Sequence, residues 1–151
     1  EPRHNGIYYT EYTQQNKILD SMRLRSVQLE YLCGIYDIDS NTLIGQISLY
    51  AIKRLPFSSC FIGYALDEQS VGRGITSEAV QLMVHFAFEH LQINRVEAYV
   101  SPQNTASIRV LEKTGFLREG LLKELLYING YWEDHYLYAI TKTKYETDLG
   151  N

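Results

Sequence analysis

The chain has 151 residues and is poor in the features that mark redox motifs, metal sites and membrane proteins. Its only cysteines, Cys33 and Cys60, lack a C-x-x-C arrangement and lie in apolar runs, so we expect buried free thiols in a reducing compartment. The apolar runs fall short of the roughly 18 residues that span a bilayer, and the first residues show no signal-peptide pattern. These absences favour a cytoplasmic protein that makes no membrane contact.

Positive charge is also scarce. Lys and Arg number 14 against 18 Asp and Glu, which gives a formal net charge of −4, and no segment is rich in Lys or Arg. General affinity for nucleic acid rests on many phosphate contacts and is therefore not expected. The hydrophobic content is 45%, and no repeat or linker divides the chain. We expect residues 1–151 to form a single domain with a small-molecule site.

Glycines at one point of the chain predict an anion site. The segment Q-S-V-G-R-G-I over 69–75 follows an apolar run and precedes a helical pattern over 75–90. A strand, a glycine turn and a helix in that order present free backbone N–H groups and a positive helix end to one spot, and Gly72 and Gly74 let an anion approach closely. Position 77 is Ser, which excludes a G-x-G-x-x-G fingerprint, and no P-loop Gly-Lys pair occurs. The turn predicts a phosphate-bearing ligand, although a purely structural turn stays open.

Apolar periodicity and turn signals predict an α+β fold. The elements are, in order, a helix over 10–25, strands over 29–36, 43–52 and 57–66, a helix over 75–90, a strand over 95–100, a helix capped by Asn104 and stopped at Gly115, and a hairpin of 116–128 and 131–141 turned at Asn129-Gly130. The helix over 75–90 has a predicted core face of Ala79, Leu82, Met83, Phe86 and Ala87. This order indicates one mixed sheet with helices packed on it.

Three motifs give the chain a family resemblance. They are Q-x-x-G-x-G at 69–74, N-x-x-S-x-x-x-L-E-K-x-G-F at 104–116, and I-N-G-Y-W-E-D-H-Y-L-Y at 128–138. In this order and spacing they resemble the GNAT superfamily of acetyl-CoA-dependent N-acetyltransferases. The last two look most like the branch that acetylates the N-terminal serine or alanine of ribosomal proteins. The resemblance covers essentially the whole chain, but such relatives normally begin with a further strand and helix. We therefore expect that roughly the first few dozen residues are missing, which removes a sheet edge.

The resemblance also implies where acetyl-CoA binds. No metal is expected, because no cluster of His, Cys and Asp residues has ligand spacing. The pyrophosphate would be held mainly by backbone N–H groups of the turn, namely Val71, Gly72, Arg73, Gly74 and Ile75. The Arg73 side chain would either add a charge-assisted contact or remain solvated. In this family the pantetheine arm pairs like an extra strand, here with Ala65 and Leu66, between two parallel strands that are splayed apart. Asn104 would reach the same arm while it caps its helix.

The resemblance leaves two interpretations of the residue that would protonate the CoA thiolate. Leu111 occupies the position at which many GNAT enzymes outside this branch carry the tyrosine that serves as general acid, and leucine cannot donate a proton. This branch is thought to use a serine in the same helix, and Ser107 is the matching residue. Ser107 would protonate the departing thiolate as a relay to water, or serve only as a hydroxyl that supports the helix cap.

The candidates for the general base are Glu124, His135, Tyr138 and Glu97. Glu124 belongs to a strand near the cleft in family terms, or is an exposed strand carboxylate. His135 has a suitable pKa but beside Asp134 is more often structural, while Tyr138 would line the acceptor pocket or donate to the thioester region. A protein α-amine has a pKa of about 7.7–8.0 and needs only a weak base, whereas lysine needs more help. Because no residue stands out as a strong general base, the sequence favours a protein N-terminus as the acceptor.

Two classes of function remain open at this point. The first is transfer of acetyl from acetyl-CoA, by direct attack in a ternary complex, to the α-amine of a ribosomal protein. Within the same class the acceptor is alternatively a polyamine, an amino acid or an aminoglycoside. The second class is a catalytically inert acyl-CoA-binding regulatory module. The expected partners are acetyl-CoA, the acceptor and, as a candidate, a second copy of the chain in a homodimer.

Overall fold

The computed structural model describes residues 7–9, 30–67 and 74–150. These residues form seven strands and three helices. In chain order they are β1 (Ile7–Tyr9), β2 (Tyr31–Asp37), β3 (Thr42–Lys53), β4 (Ser59–Leu66), α1 (Ile75–Glu89), β5 (Arg95–Val100), α2 (Thr105–Lys113), β6 (Leu117–Ile128), β7 (Tyr131–Thr141) and α3 (Lys142–Gly150). The predicted α+β fold with one mixed sheet is confirmed.

The seven strands form a single sheet in the order β1-β2-β3-β4-β5-β7-β6. All neighbours are antiparallel except β4 and β5, which run parallel. In the described residues this parallel pairing joins only 59–61 of β4 to 95–97 of β5. β4 continues to Leu66 along β3, while β5 continues to Val100 along β7. The two parallel strands therefore diverge, as the resemblance implies, and leave one edge of 62–66 open.

The core lies where α1 packs on the sheet. Apolar side chains repeat along α1 at helical spacing, and the buried ones are Ile75, Ala79, Val80, Met83, Val84, Ala87 and Phe88. Ala79, Met83 and Ala87 of the predicted face form a buried central row, and Leu82 and Phe86 are partly buried and pack against the core. Both flanks of the central row carry apolar residues, so periodicity alone could not decide which flank faces the sheet.

Local turn signals were accurate. The side chain of Asn104 caps α2, and Gly115 follows that helix with φ 102°. The turn between β6 and β7 places Asn129 at φ 52° and Gly130 at φ 87°, the left-handed geometry that a two-residue hairpin needs. Consecutive positive φ values favour Asn-Gly there, so this dipeptide sets the register of the hairpin.

Two elements were not predicted. β1 has three residues, which is too short for a periodic pattern, and it pairs with β2 at the edge of the sheet. α3 has no buried residue, so it lacks the apolar stripe by which helices are recognised. The helix predicted over 10–25 lies outside the described residues. None of the helices in the described ranges is long and apolar enough to cross a membrane.

Candidate functional site

A cavity of about 490 Å³ opens where β4 and β5 diverge. Three elements line it: the end of β4, the beginning of α1 and one face of α2. Ala65 and Leu66, which the resemblance assigns to the pantetheine arm, are both lining residues, as is Asn104. The structure thus brings together predicted cofactor residues from two segments about forty positions apart.

The beginning of α1 provides an anion-binding edge to this cavity. Gly74, Thr76 and Ser77 line it, so the first turn of the helix faces the space. Gly74 is the N-cap residue with φ 76°, and a Cβ built there meets nothing within 4 Å. Glycine is thus favoured by backbone conformation rather than by crowding. The free N–H groups and the positive end of the helix can therefore bind a phosphate.

The face of α2 adds two cations that the sequence analysis missed. Arg109 and Lys113 both line the cavity, and their spacing of four residues places them on one side of the helix. That spacing was visible in the sequence. The protein carries a net charge of −4, yet these cations and two helix N-termini make the cavity locally positive. Asn104 Oδ1 accepts a hydrogen bond from the Ser107 N–H at 3.1 Å, which fixes the first turn of α2.

A hydroxyl pair joins β4 to α2 inside the cavity. Tyr64 Oη and Ser107 Oγ are 2.8 Å apart, and both residues are half-buried lining residues. Burial raises the pKa of Tyr64 above its ordinary value, and the hydrogen bond with Ser107 partly offsets that rise. Tyr64 was not singled out in the sequence. Its signal was period-two alternation with the buried Ile62, which indicates that its side chain faces the helices.

Tyr138 lies outside the set of lining residues. It is fully buried, donates from Oη to Glu112 Oε2 at 2.7 Å and accepts from Arg118 Nε at 3.0 Å. Burial, followed by the hydrogen bond with Glu112, raises the pKa of its phenol, whereas Arg118 opposes the rise. These contacts tie α2 to the β6–β7 hairpin. The catalytic role of Tyr138 stays a prediction, and its position suits a structural one.

Glu124 also lies away from the lining residues. It is exposed, has φ 50°, and sits where the register of β6 shifts. Its N–H donates to Asp134 Oδ1 at 2.8 Å, and this hydrogen bond is the main cause that lowers the pKa of Asp134. A positive φ at a bulge is an uncommon conformation for glutamate. Its catalytic role likewise stays a prediction.

The two remaining base candidates have partners of their own. His135 is 6% exposed, and its Nδ1 lies 3.3 Å from the Glu133 carbonyl. Glu97 is half-buried and accepts from Arg95 Nε. Arg95 also contacts Glu119 through both of its terminal nitrogens. Among the described residues no group of three or more His, Cys, Asp or Glu side chains could hold a metal ion.

Part of the predicted site cannot be compared with the structure. Val71, Gly72 and Arg73 lie outside the described residues, so their contacts with a pyrophosphate stay predictions. Ile75 opens α1 and is 5% exposed, so only its backbone is suited to the ligand. Cys33 and Cys60 are buried free thiols, as expected, and burial raises the pKa of each to about 12.

The chain belongs to the GNAT acetyltransferases: residues 3–117 match the family described as Acetyltransferase (GNAT) domain. It is 44% identical over 133 residues to the probable N-acetyltransferase YjcK of Bacillus subtilis, which aligns with 88% of this chain and 74% of that protein. It is 32% identical over 108 residues to the ribosomal protein uS5-alanine N-acetyltransferase of Escherichia coli. That match covers 72% of this chain, which spans about half, 56%, of the relative.

Solved structures agree. Ribosomal-protein-S5-alanine acetyltransferase from Vibrio fischeri superposes with a TM-score of 0.75 at 32% identity, covering 86% of this chain and 70% of that one. Mycobacterium smegmatis RimJ in complex with CoA-disulfide superposes with a TM-score of 0.72 at 31% identity, covering 87% and 63%. The resemblance carried by the three motifs is confirmed. The protein is an N-acetyltransferase of the GNAT type that uses acetyl-CoA.

Proposed function

We propose that the protein transfers acetyl from acetyl-CoA to the N-terminal α-amine of a ribosomal protein, by direct attack in a ternary complex. The observation that carries the donor half of this proposal is the cavity between β4 and α2, which combines an open strand edge, a helix N-terminus and two cations. The acceptor half is supported by 32% identity to an enzyme named for alanine acetylation of ribosomal protein uS5. We propose residues 1–151 as one catalytic domain.

The donor would lie along the cavity in an extended form. Its pyrophosphate would contact the first turn of α1, where the N–H groups lack intrahelical partners. As the resemblance implies, it would also contact the glycine turn from Val71 to Ile75. The pantetheine amides would pair with the open edge at Ala65 and Leu66. Asn104 lies at the start of α2, on the path towards Ser107. This orientation would bring the thioester close to Ser107.

The transfer itself requires three events. The neutral amine attacks the thioester carbon, so that the C–N bond forms and the C–S electron pair leaves with sulphur. The amine releases a proton to water or to a base, and the thiolate gains one. A CoA thiol is similar to a free thiol of pKa near 8.5, so a hydroxyl donor at Ser107 would aid its departure. Of Ser107, Glu124 and Tyr138, Ser107 is the expected catalytic residue that lines the cavity.

An acceptor panel tests this proposal. The purified protein is mixed with acetyl-CoA and one of three acceptors: a peptide beginning with Ala, the same peptide with a blocked N-terminus but a free lysine, or spermidine. Thiol release measures turnover, and mass spectrometry locates the acetyl group. We expect acetyl on the α-amine of the first peptide and little reaction with the second.

Two outcomes would contradict the proposal in different ways. Reaction with spermidine but not with the peptide would show that the acceptor is a polyamine. Solved spermidine N-acetyltransferases share the fold at 22–23% identity, which does not support that acceptor by itself. Tight binding of acetyl-CoA without thiol release for any amine would indicate an inert binding module.

A further inference from the structure

The hydroxyl pair in the cavity connects β4 and α2, which both line the cavity. Tyr64 belongs to the open edge of β4, residues 62–66, and Ser107 belongs to the first turn of α2. Their oxygen atoms are 2.8 Å apart although the residues are 43 positions apart in the chain. The Ser107 backbone is held independently by Asn104. The serine side chain therefore meets Tyr64 in a fixed geometry.

The proton count of this pair limits which hydroxyl can face a departing thiolate. Each hydroxyl carries one hydrogen, and either can donate to the other. A departing thiolate accepts hydrogen bonds and cannot donate. If Ser107 donated to Tyr64, its only proton would point away from the sulphur. If Tyr64 donates to Ser107, the serine proton is free to point into the cavity. The negative charge on sulphur favours the second arrangement.

The Tyr64 hydroxyl is suited to donate the hydrogen bond to Ser107. Its phenol is half-buried, and burial raises its pKa above the ordinary value. It therefore stays protonated throughout the range, near pH 8, in which an α-amine becomes neutral. A donor that never ionises under working conditions keeps the serine proton directed at the cavity at every productive pH.

We propose that Tyr64 is a positioning residue whose hydroxyl donates to Ser107 Oγ and thereby directs the Ser107 proton to the departing thiolate of CoA. This inference rests on the proposed use of Ser107 in acetyl transfer. As the C–S bond breaks, Ser107 gives its proton to sulphur and takes the Tyr64 proton. Tyr64 regains a proton from the water that received the amine proton. The net change is one proton moved from nitrogen to sulphur.

A double-mutant cycle tests the inference. The variants are Tyr64→Phe, Ser107→Ala and the combination of both, measured with whichever acceptor the wild-type protein uses. We expect kcat to fall roughly 100-fold in Ser107→Ala and about tenfold in Tyr64→Phe, with KM for acetyl-CoA little changed. Because Tyr64 acts through Ser107, the double variant should be no slower than Ser107→Ala alone.

Tyr145→Phe is the matched control. Tyr145 is also half-buried and packed against the core, and its hydroxyl is hydrogen-bonded, in this case to His85 Nδ1. Its removal should leave kcat unchanged. The inference is overturned if Tyr64→Phe matches wild type, or if the two single effects multiply in the double variant. Choosing the acceptor from the wild-type result separates these outcomes from a failure of the proposed acceptor.

A second variant covers the case in which Tyr64→Phe fails to fold. Replacement of Tyr64 by 3-fluorotyrosine keeps the ring and the hydroxyl but lowers the phenol pKa. A phenolate cannot donate to Ser107, so activity should be lost at a lower pH on the alkaline side than in wild type. An unchanged alkaline limb would overturn the inference, since a structural tyrosine would also give that result.

Discussion

Two parts of the same sheet use their apolar side chains in opposite ways. In β2, β3 and β4, alternate side chains lie beneath α1, and Cys33, Ile47 and Ile62 are at most 3% exposed. In β6 all 12 residues are exposed or half-buried, with Leu117 at 56% exposed. The first part forms the core and one wall of the cavity that we propose binds acetyl-CoA. β6, at the edge of the sheet, leaves much of its apolar surface open, although its partner β7 contributes Tyr138 and Ile140 to the core.

The same difference separates the predicted site residues into two groups, those near the core and those on the exposed strand β6. Residues of the proposed acetyl-CoA site, such as Ser107, lie on elements that pack against the core. Glu124, a predicted catalytic residue, stands on the exposed hairpin at a bulge. Burial thus coincides with the proposed acetyl-CoA side, and β6 should tolerate changes that the core does not. The following predictions test that contrast.

Truncation of a core side chain should have the largest effect on stability. Phe88 in α1 is fully buried and packs against Tyr145 with ring centroids 4.9 Å apart. Phe88→Ala should lower the free energy of unfolding by about 3–5 kcal/mol, measured by chemical denaturation. The matched hairpin variant Leu117→Ala should cost less than about 1 kcal/mol. Equal losses in the two variants would contradict the contrast.

Replacing a glycine by alanine should destabilise the protein more at the start of α1 than in β6, because the backbone conformations of the two glycines differ. Gly74 begins α1 at φ 76°, whereas Gly120 in β6 has no positive φ, and both have open space around a built Cβ. Gly74→Ala should cost about 1–2 kcal/mol because alanine is strained there, and it should weaken CoA binding measured by calorimetry. Gly120→Ala should leave both quantities within about 0.5 kcal/mol. A larger loss at Gly120 would oppose the account.

Removal of cavity cations should affect donor binding alone. The Arg109→Ala/Lys113→Ala variant should raise KM for acetyl-CoA about three- to tenfold, because exposed charge pairs are worth up to about 1 kcal/mol each. The rise should shrink at high salt, which screens such charges. Lys123→Ala on the hairpin, with a side chain 74% exposed, is the control and should leave KM unchanged. If KM keeps its wild-type value in the double variant, the cations do not contact the donor.

The smallest expected effect concerns acid conditions at the hairpin. The Glu124 N–H is the main cause that lowers the pKa of Asp134 below its ordinary value. A carboxyl whose pKa is lowered in the folded state stabilises the fold above its unfolded pKa of about 3.9. That stabilisation is lost as the pH falls through the pKa of the folded state. Exchange protection of the Glu124 amide should therefore decrease below about pH 4. Asp134→Asn should remove this pH dependence, and persistence of the decrease would argue against Asp134 as its source.

Local signals in the sequence were sufficient for much of the fold. The cap at Asn104 and the turn at Asn129-Gly130 depend on neighbouring residues, so both could be predicted. β1 and α3 could not, because β1 is too short for a periodic pattern and α3 buries no side chain. Which flank of α1 faces the sheet depended on packing partners far along the chain.

The site divides in the same way. Ala65, Leu66 and Asn104 were predicted from the family resemblance and line one cavity. The contact between Tyr64 and Ser107 joins residues 43 positions apart, and it depends on the register of β4 and on how α2 lies across it. Neither quantity is encoded locally. A contact of that kind becomes visible only once the strand and the helix are placed together.

The central claim is that acetyl-CoA lies between β4 and α2 with its sulphur at the hydroxyl pair. A crystal structure of the protein with CoA tests it most directly. The account predicts the CoA sulphur within hydrogen-bond reach of Ser107 Oγ, with the Tyr64 to Ser107 contact retained. A sulphur atom placed on the β6–β7 hairpin, or a CoA molecule bound outside the cavity, would contradict it.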